Sequence, residues 1–322
     1  MGSNNDGYVE ISAYLRVLEK RLLSTASLGR IMDAPNVPEV LRQITQNSSY
    51  DFSALQNPDE YEAVLKEGLL AAYTEIRKLL PGSLVTEIPA AQYAFHNVKV
   101  AVKAKHTGKN ADNLFSPIPL EDMADPPDYI REAIDAAEEA FKESGDPQDI
   151  DVVLDKLMFK RMFDLCEKID NAFITDYVME SVDFYNIRTL LRVKAMNRGT
   201  RFLGQCLVAG GKTEPEYFLR HYDKPPETLA QIFYYKYFGG ITQKGMESYA
   251  RTDTFAGLER LFDNRLIELT KSAKLVAFGP EVPFAYILSK ENEARQIRIL
   301  VACKQNGIHG DALKERLRDN YA

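Results

Sequence analysis

The run Gly210-Gly211-Lys212-Thr213 is the part of the sequence that comes nearest to a known chemical motif. It matches the end of a phosphate-binding P-loop, in which backbone amides surround the phosphates and the lysine neutralises them. A complete P-loop has another glycine five residues before the second one here and follows a β-strand, whereas position 206 is Cys206 and the surrounding pattern is helical. The run therefore predicts a helix C-cap followed by a turn, without a nucleotide site.

The sequence contains no other pattern typical of catalysis or metal binding. Its four histidines form no HExxH pair, no GxSxG motif occurs, and its carboxylates fall on polar helical faces or caps. The three cysteines, Cys166, Cys206 and Cys303, are widely spaced within apolar helical patterns, as expected of small buried side chains in a reducing compartment. We therefore predict no catalytic, cofactor-binding or metal-binding residues.

Charge and hydropathy narrow the possible partners. The 322 residues carry a formal net charge of -7, which disfavours binding to nucleic acid. No stretch approaches the roughly 18 consecutive apolar residues of a membrane-spanning helix, and the N-terminus lacks the basic and apolar regions of a signal peptide. We expect a cytoplasmic protein without a transmembrane segment of its own.

Apolar residues recur at helical spacing through most of the chain. One stripe runs from Tyr61 to Leu80 in steps of three and four residues and stops at Pro81-Gly82. Another begins after Pro126-Pro127 and stops at Gly145, which places proline at the start and glycine at the end of a helix. Alternating, strand-like segments are scarce, so the predicted fold class is all-α.

One helical segment occurs three times. Residues 95–105 (FHNVKVAVKAK), 184–194 (FYNIRTLLRVK) and 294–304 (ARQIRILVACK) align without gaps. A carboxamide (Asn97, Asn186, Gln296), an apolar stripe and a set of basic residues coincide, and a glycine follows each copy: Gly108, Gly199 and Gly307. A weaker similarity lies upstream of the second and third copies, where Asp155 and Asp263 correspond. The charges suit a solvated face near a helix C-terminus, but their return at the same positions favours a shared role.

Proline- and glycine-rich stretches divide the chain into three pieces of similar size. They lie at residues 115–127 and 210–226. We predict three similar helical domains, 1–115, 116–212 and 213–322, each containing one copy of the repeat. Three copies about an axis would form a pseudo-threefold ring or funnel.

The repeats and their surroundings resemble the C subunit family of V/A-type ATPases, whose members are also called d subunits. The similarity includes YLRVLEKRLLS at 14–24, DFYNIRTLLRVKAMNRG at 183–199 and AYILSKENEARQIRILVACKQNG at 285–307. The resemblance implies a funnel of three helical domains and a non-catalytic central-stalk subunit. It also implies a seat on the cytoplasmic face of the proteolipid rotor ring, with shaft subunits D and F in the cavity. Transport of H⁺ and of Na⁺ are both compatible with it. The repeat alone would also permit a helical scaffold or adaptor, and an enzyme with an unrecognised site is a third, weaker alternative.

Two sets of residues become candidates for these contacts. The basic residues of the repeats are predicted to face the funnel interior and receive the shaft, unless they pair with acids of the fold: Lys99, Lys103, Lys105, Arg188, Arg192, Lys194, Arg298 and Lys304. An aromatic run is predicted to contact the rotor ring, unless it packs within the third domain: Phe233, Tyr234, Tyr235, Tyr237 and Phe238.

Overall fold

A computed structural model describes residues 5–118, 125–234, 239–252 and 254–322. These residues form fifteen α-helices and no β-strand, which confirms the all-α prediction. The helices are α1 (Val9–Glu19), α2 (Thr25–Met32), α3 (Val37–Asn47), α4 (Tyr61–Leu79), α5 (Glu87–Thr107), α6 (Asp128–Ser144), α7 (Pro147–Ile169), α8 (Ala172–Ala195), α9 (Gly199–Cys206), α10 (Pro215–Arg220), α11 (Pro226–Phe233), α12 (Gly240–Thr252), α13 (Ala256–Lys271), α14 (Glu281–Gln305) and α15 (Gly310–Lys314).

The predicted helix signals agree with these bounds. The stripe from Tyr61 becomes α4. Helix α6 is capped by Gly145, which has a left-handed backbone (φ 71°) and donates its amide to the carbonyl of Phe141. At this φ a side chain would be strained, so glycine is the suitable residue. At the start of α7, the side chain of Asp146 accepts a hydrogen bond from the amide of Gln148.

The chain divides into two compact units. The first combines residues 1–81 with 223–322, and the second is the continuous segment 82–222. The three domains predicted at 1–115, 116–212 and 213–322, and their arrangement as a funnel, stay a prediction. The repeat itself is distributed between the units, since α5 and α8 lie in the second and α14 in the first.

The second unit has a core shared by α5, α6 and α7. Residues of the first repeat, including Phe95 and Val98, pack there against Ile130 of α6 and Leu154 of α7. One position of the predicted apolar stripe is fully buried in all three copies, at Val98, Ile187 and Ile297. Burying such side chains contributes about 1.5–3 kcal/mol each, so the stripe fixes the rotation of every repeat helix.

The first unit is organised around α14, which is buried on nearly all sides. Even its polar segment is enclosed: Lys290 and Glu293 are each 2% exposed and their charged atoms lie 2.5 Å apart. The ammonium of Lys290 also donates to Ser49 and lies 3.9 Å from the ring centre of Tyr50. Glu293 accepts the amide of Leu23 as well. Pairing of this kind is what permits charges in a core.

Candidate functional site

The carboxamide of each repeat holds a distant piece of backbone. Asn97 donates to the carbonyl of Ser116 (2.8 Å) and accepts its amide (2.8 Å). Asn186 does the same with Val208, at 2.7 and 2.9 Å. A carboxamide presents one N–H donor and one carbonyl acceptor side by side, so it can satisfy both the carbonyl and the amide of one backbone residue. We call these paired contacts the amide clamps.

The third amide clamp uses glutamine in place of asparagine. Gln296 donates to the carbonyl of Arg318 at 2.5 Å and accepts its amide at 3.0 Å. The three carboxamides are 4%, 0% and 0% exposed, respectively. The third copy therefore retains the same pair of hydrogen bonds, although its glutamine side chain is one methylene longer than asparagine. The aligned repeats located the carboxamides but gave no sign of their partners.

The glycine that follows each repeat has the same backbone conformation. Gly108, Gly199 and Gly307 have φ values of 65°, 76° and 67°, all in the left-handed region. Residues with a Cβ rarely adopt this conformation. Each repeat helix is thus followed by a turn that redirects the chain towards the segment held by its amide clamp.

In the first repeat, every predicted shaft-binding lysine pairs with an acid on α6 or α7. Lys99 lies 2.5 Å from Asp155, Lys103 lies 2.6 Å from Asp151, and Lys105 lies 2.8 Å from Glu138. The lysine side chains become steadily more exposed along the helix, at 23%, 36% and 69%. These are the pairs with acids of the fold that the sequence left open as an alternative.

The second repeat meets the first at Asp155. Tyr185 donates its hydroxyl to this carboxylate (3.1 Å), and burial raises the pKa of Tyr185. The guanidinium of Arg188 lies 5.8 Å from the ring centre of Tyr185. Asp155 is therefore shared by residues of two repeats, Lys99 and Tyr185.

The two other basic residues of the second repeat differ in exposure. Arg192 lies on the exposed surface of α8. Lys194 donates to the carbonyl of Tyr222 and lies 4.9 Å from the centre of that ring.

In the third repeat, the basic residues bind groups from the N-terminal helices. Arg298 forms two short hydrogen bonds to Glu62 of α4, at 2.7 and 2.9 Å. Lys304 is 8% exposed and donates to the carbonyl of Met32 (2.7 Å). Lys304 thus stabilises the first unit, and its ammonium is not presented on the surface.

The acid that precedes the third repeat also binds basic side chains. Asp263 lies 2.9 Å from Arg295 and 2.9 Å from Arg318, the residue held by the third amide clamp. Asp155 and Asp263, which precede the second and third repeats in the sequence, therefore each bind polar groups near a repeat through their carboxylates.

The aromatic run is described only in part. Phe233 ends α11 and is 2% exposed, so it packs inside the first unit, whereas Tyr234 is 45% exposed. Tyr235, Tyr237 and Phe238 lie outside the described residues. Contact with a rotor ring stays a prediction for this run, as does shaft contact for the basic residues.

The run Gly210–Thr213 binds a carboxylate of the same chain, that of Asp183. The amides of Lys212 and Thr213 each donate to the carboxylate of Asp183 at 3.0 Å. The ammonium of Lys212 lies 2.8 Å from Asp176 and 3.0 Å from Glu180. Burial raises the pKa of Asp183 to about 6, although the two amides oppose this shift.

Close packing explains the second glycine of this run. A Cβ on Gly211 would lie 2.5 Å from the carboxylate of Asp183, nearer than side-chain atoms pack. The donors that would surround a phosphate in a P-loop are therefore used to hold Asp183, which is fully buried.

Metal ligands and membrane spans can be judged only for the described ranges. Within them, no group of three or more histidine, cysteine or carboxylate residues is placed to hold a metal ion. None of the helices there combines the length and the apolar character needed to cross a membrane. The three cysteines are buried, as predicted, and burial raises the pKa of Cys166 and of Cys206 to about 11.

These features define an all-α protein built on a repeated helix, in which an amide clamp fixes every copy and a basic flank lies beside it. A family model described as ATP synthase (C/AC39) subunit matches residues 11–316. The chain belongs to this family.

Curated relatives match over almost their whole length. The C subunit of the V-type sodium ATPase of Enterococcus hirae is 24% identical over 327 residues, covering 98% of this chain and 99% of that protein. The C subunit of the A-type ATP synthase of Thermococcus kodakarensis is also 24% identical, over 94% of this chain and 88% of its own. The corresponding protein of a Desulfurococcus species is 24% identical with the same coverage.

Proposed function

We propose that this chain is the non-catalytic coupling subunit of a V/A-type rotary ATPase. It joins the shaft subunits D and F of the catalytic head to the proteolipid rotor ring, on the cytoplasmic face of the membrane. The observation that carries the proposal is the match to C subunits of such ATPases. In one case the match covers 98% of this chain and 99% of the relative. This coverage supports a role shared with the C subunits of such ATPases.

The rigidity of the repeats supports a role in transmitting torque. Driving one elementary charge across 100 mV costs roughly 2.3 kcal/mol, and a coupler must carry the work of several ions without yielding. Each repeat helix is fixed by a buried apolar stripe and by an amide clamp at Asn97, Asn186 or Gln296. Close-packed elements of this kind resist deformation.

Among the basic residues, Arg188 and Arg192 of the second repeat are the shaft contacts to test first. Lys304 is buried against Met32, Lys99 is bound to Asp155, and Arg298 is bound to Glu62, so these three mainly hold the helices in place. Arg192 is exposed on α8 and Arg188 is one helical turn before it. Positive charge here would suit an acidic tip or a helix C-terminus of the shaft.

Reconstitution tests the coupling function. An ATPase assembled without this chain should retain ATP hydrolysis in its catalytic head but lose ion transport, because the shaft no longer turns the ring. Both activities are measured in one preparation, with the complete complex as the reference. Persistent ion pumping, or loss of hydrolysis in the detached head, would refute the proposal.

A double substitution tests the shaft contact separately. Arg188→Ala with Arg192→Ala should weaken binding to the D–F pair about tenfold at low salt, and salt should reduce the difference because it screens surface charge. The matched control is Arg131→Ala on α6, an arginine with a half-exposed side chain that pairs with Asp125 and Asp128. If the double variant binds the D–F pair as tightly as the control does at low salt, the two arginines serve the fold and not the shaft.

A further inference from the structure

An apolar loop lies on the surface between α13 and α14. Residues 275–278, Leu-Val-Ala-Phe, begin at the last residue of a short 3₁₀ turn, Ser272–Leu275. Leu275 is 91% exposed and Phe278 is 44% exposed. Ala277 is exposed as well, and Val276 is half-buried. Exposed apolar residues that cluster in this way are unusual on a protein surface unless they bind something.

The loop is held in place from behind. Arg16 of α1 donates to the carbonyls of Ala273 (2.6 Å) and Val276 (2.8 Å). Lys274 donates to the carbonyl of Tyr321, and Ala273 is fully buried. The exposed side chains are therefore presented by a braced backbone, so little ordering entropy is lost when they are covered.

Helix α1 adds an apolar surface next to the residue that braces the loop. Val17 follows Arg16 and is 59% exposed. Val9, which is 45% exposed, and Ala13 lie on the same face, at steps of four residues. This stripe and the loop belong to the same compact unit.

The rim of this surface is basic, although the chain is acidic overall. Residues 16–21 and 268–281 contain five basic residues, Arg16, Lys20, Arg21, Lys271 and Lys274, against three acidic ones, Glu19, Glu268 and Glu281. Glu19 pairs with Arg16, and Glu268 lies 3.5 Å from Lys271, so two acids and two bases neutralise each other. Lys20, Arg21 and Lys274 remain against Glu281. The exposed Lys20 and Arg21 follow directly at the end of α1.

We propose that this loop, together with Val17, inserts into the headgroup region of an anionic lipid bilayer. Apolar side chains that are rimmed by lysine and arginine are typical of surfaces that bind anionic membranes. This membrane contact is independent of the shaft contact at Arg188 and Arg192, so either can fail while the other stands.

Tryptophan fluorescence gives a direct readout, because the chain contains no tryptophan. Phe278→Trp in the full chain places a single reporter in the loop. With vesicles of phosphatidylcholine and phosphatidylglycerol in equal parts, its emission should shift to the blue and be protected from iodide. Leu114→Trp is the control, since Leu114 is also exposed (56%) but lies in the other unit, and its emission should not change.

Sedimentation with the same vesicles measures the contribution of each part. Leu275→Ser with Phe278→Ser should lower the fraction bound at least about tenfold, since burying one such side chain changes an equilibrium by that factor or more. Lys20→Glu with Arg21→Glu should weaken binding to anionic vesicles similarly. Leu114→Ser with Met196→Ser removes two exposed apolar side chains elsewhere and should leave binding unchanged.

Two results would overturn the proposal. One is an unshifted Phe278→Trp emission with the anionic vesicles. The other is a blue shift that appears only when detergent-solubilised rotor rings are added, which would assign the loop to a protein contact. Thermal unfolding of each variant shows whether a loss of binding reflects the surface or the fold.

Discussion

Replacing Asn186 by alanine should be among the most destabilising single changes in the second unit. Asn186 is 0% exposed and its partner Val208 is 5% exposed, so the substitution leaves a buried amide and a buried carbonyl without partners. Each orphaned group costs about 1–3 kcal/mol. We expect the free energy of unfolding to fall by about 3–5 kcal/mol.

The first repeat provides an internal comparison. Asn97 makes the same two hydrogen bonds, but its partner Ser116 is half-buried, so water can reach the released backbone groups. Asn97→Ala should therefore cost only about 1–2 kcal/mol. Asn186→Gln should cost less than Asn186→Ala, because the third amide clamp uses glutamine for the same contact.

Urea unfolding monitored by circular dichroism gives the free energies, and hydrogen exchange localises the effect. In Asn186→Ala the amide of Val208 should exchange much faster, while the amide of Ser116 should be unaffected. A loss below about 1 kcal/mol in Asn186→Ala, or equal losses in the two alanine variants, would refute the reasoning from burial.

Two further predictions concern the buried charges. Lys290→Met should lower the free energy of unfolding by about 3–5 kcal/mol, because Glu293 is left buried without its cation. Adding Glu293→Leu should recover part of this loss in urea unfolding. A double variant with a lower free energy of unfolding than Lys290→Met would contradict the pairing of Lys290 with Glu293. The pKa of Asp183, raised to about 6, lies above that of an unfolded chain. The stability that this group contributes is thus present below about pH 4 and is lost as pH rises through 6. Between about pH 4 and 7 the wild type should lose up to about 3 kcal/mol relative to Asp183→Asn, and parallel pH profiles would show that the carboxyl does not titrate in this range.

The features set by local sequence were predictable. Helical spacing and the glycine signals placed α4 and α6, and the gapless alignment placed the three repeat helices. These patterns depend on residues a few positions apart, so periodicity reveals them. The buried stripe at Val98, Ile187 and Ile297 followed for the same reason.

The partners of polar side chains were not predictable, because they depend on segments far apart in the chain. Asn97 binds a residue 19 positions away and Asn186 one that is 22 positions away. Likewise, Arg298 finds Glu62 from 236 positions away. Spacing therefore identified a recurring chemical type in the repeats, while the internal ion pairs of these residues could be found only from the fold.

The carboxylate that the run Gly210–Thr213 binds, that of Asp183, shows a related limit of sequence spacing. Sequence spacing excluded a P-loop because Cys206 stands at the glycine position, and the structure supplies the positive reason in Asp183. The signal that could have located Asp183 is its place directly before the second copy of the repeat, residues 184–194. Nothing in that pattern distinguishes a buried acid from a solvated one.

The division of the chain has a consequence for its synthesis. The first unit is split in sequence. Its N-terminal part, residues 1–81, therefore cannot pack against residues 223–322 until the whole segment 82–222 has been synthesised. At about 5–20 residues per second, the 141 intervening residues take roughly 7–28 s to emerge from the ribosome. During that interval Leu23, Ser49 and Tyr73 lack the α14 residues that they contact in the folded unit. The nascent N-terminal helices thus expose apolar surface to solvent for seconds, and chaperones that hold such segments should associate with this chain before its last hundred residues are translated.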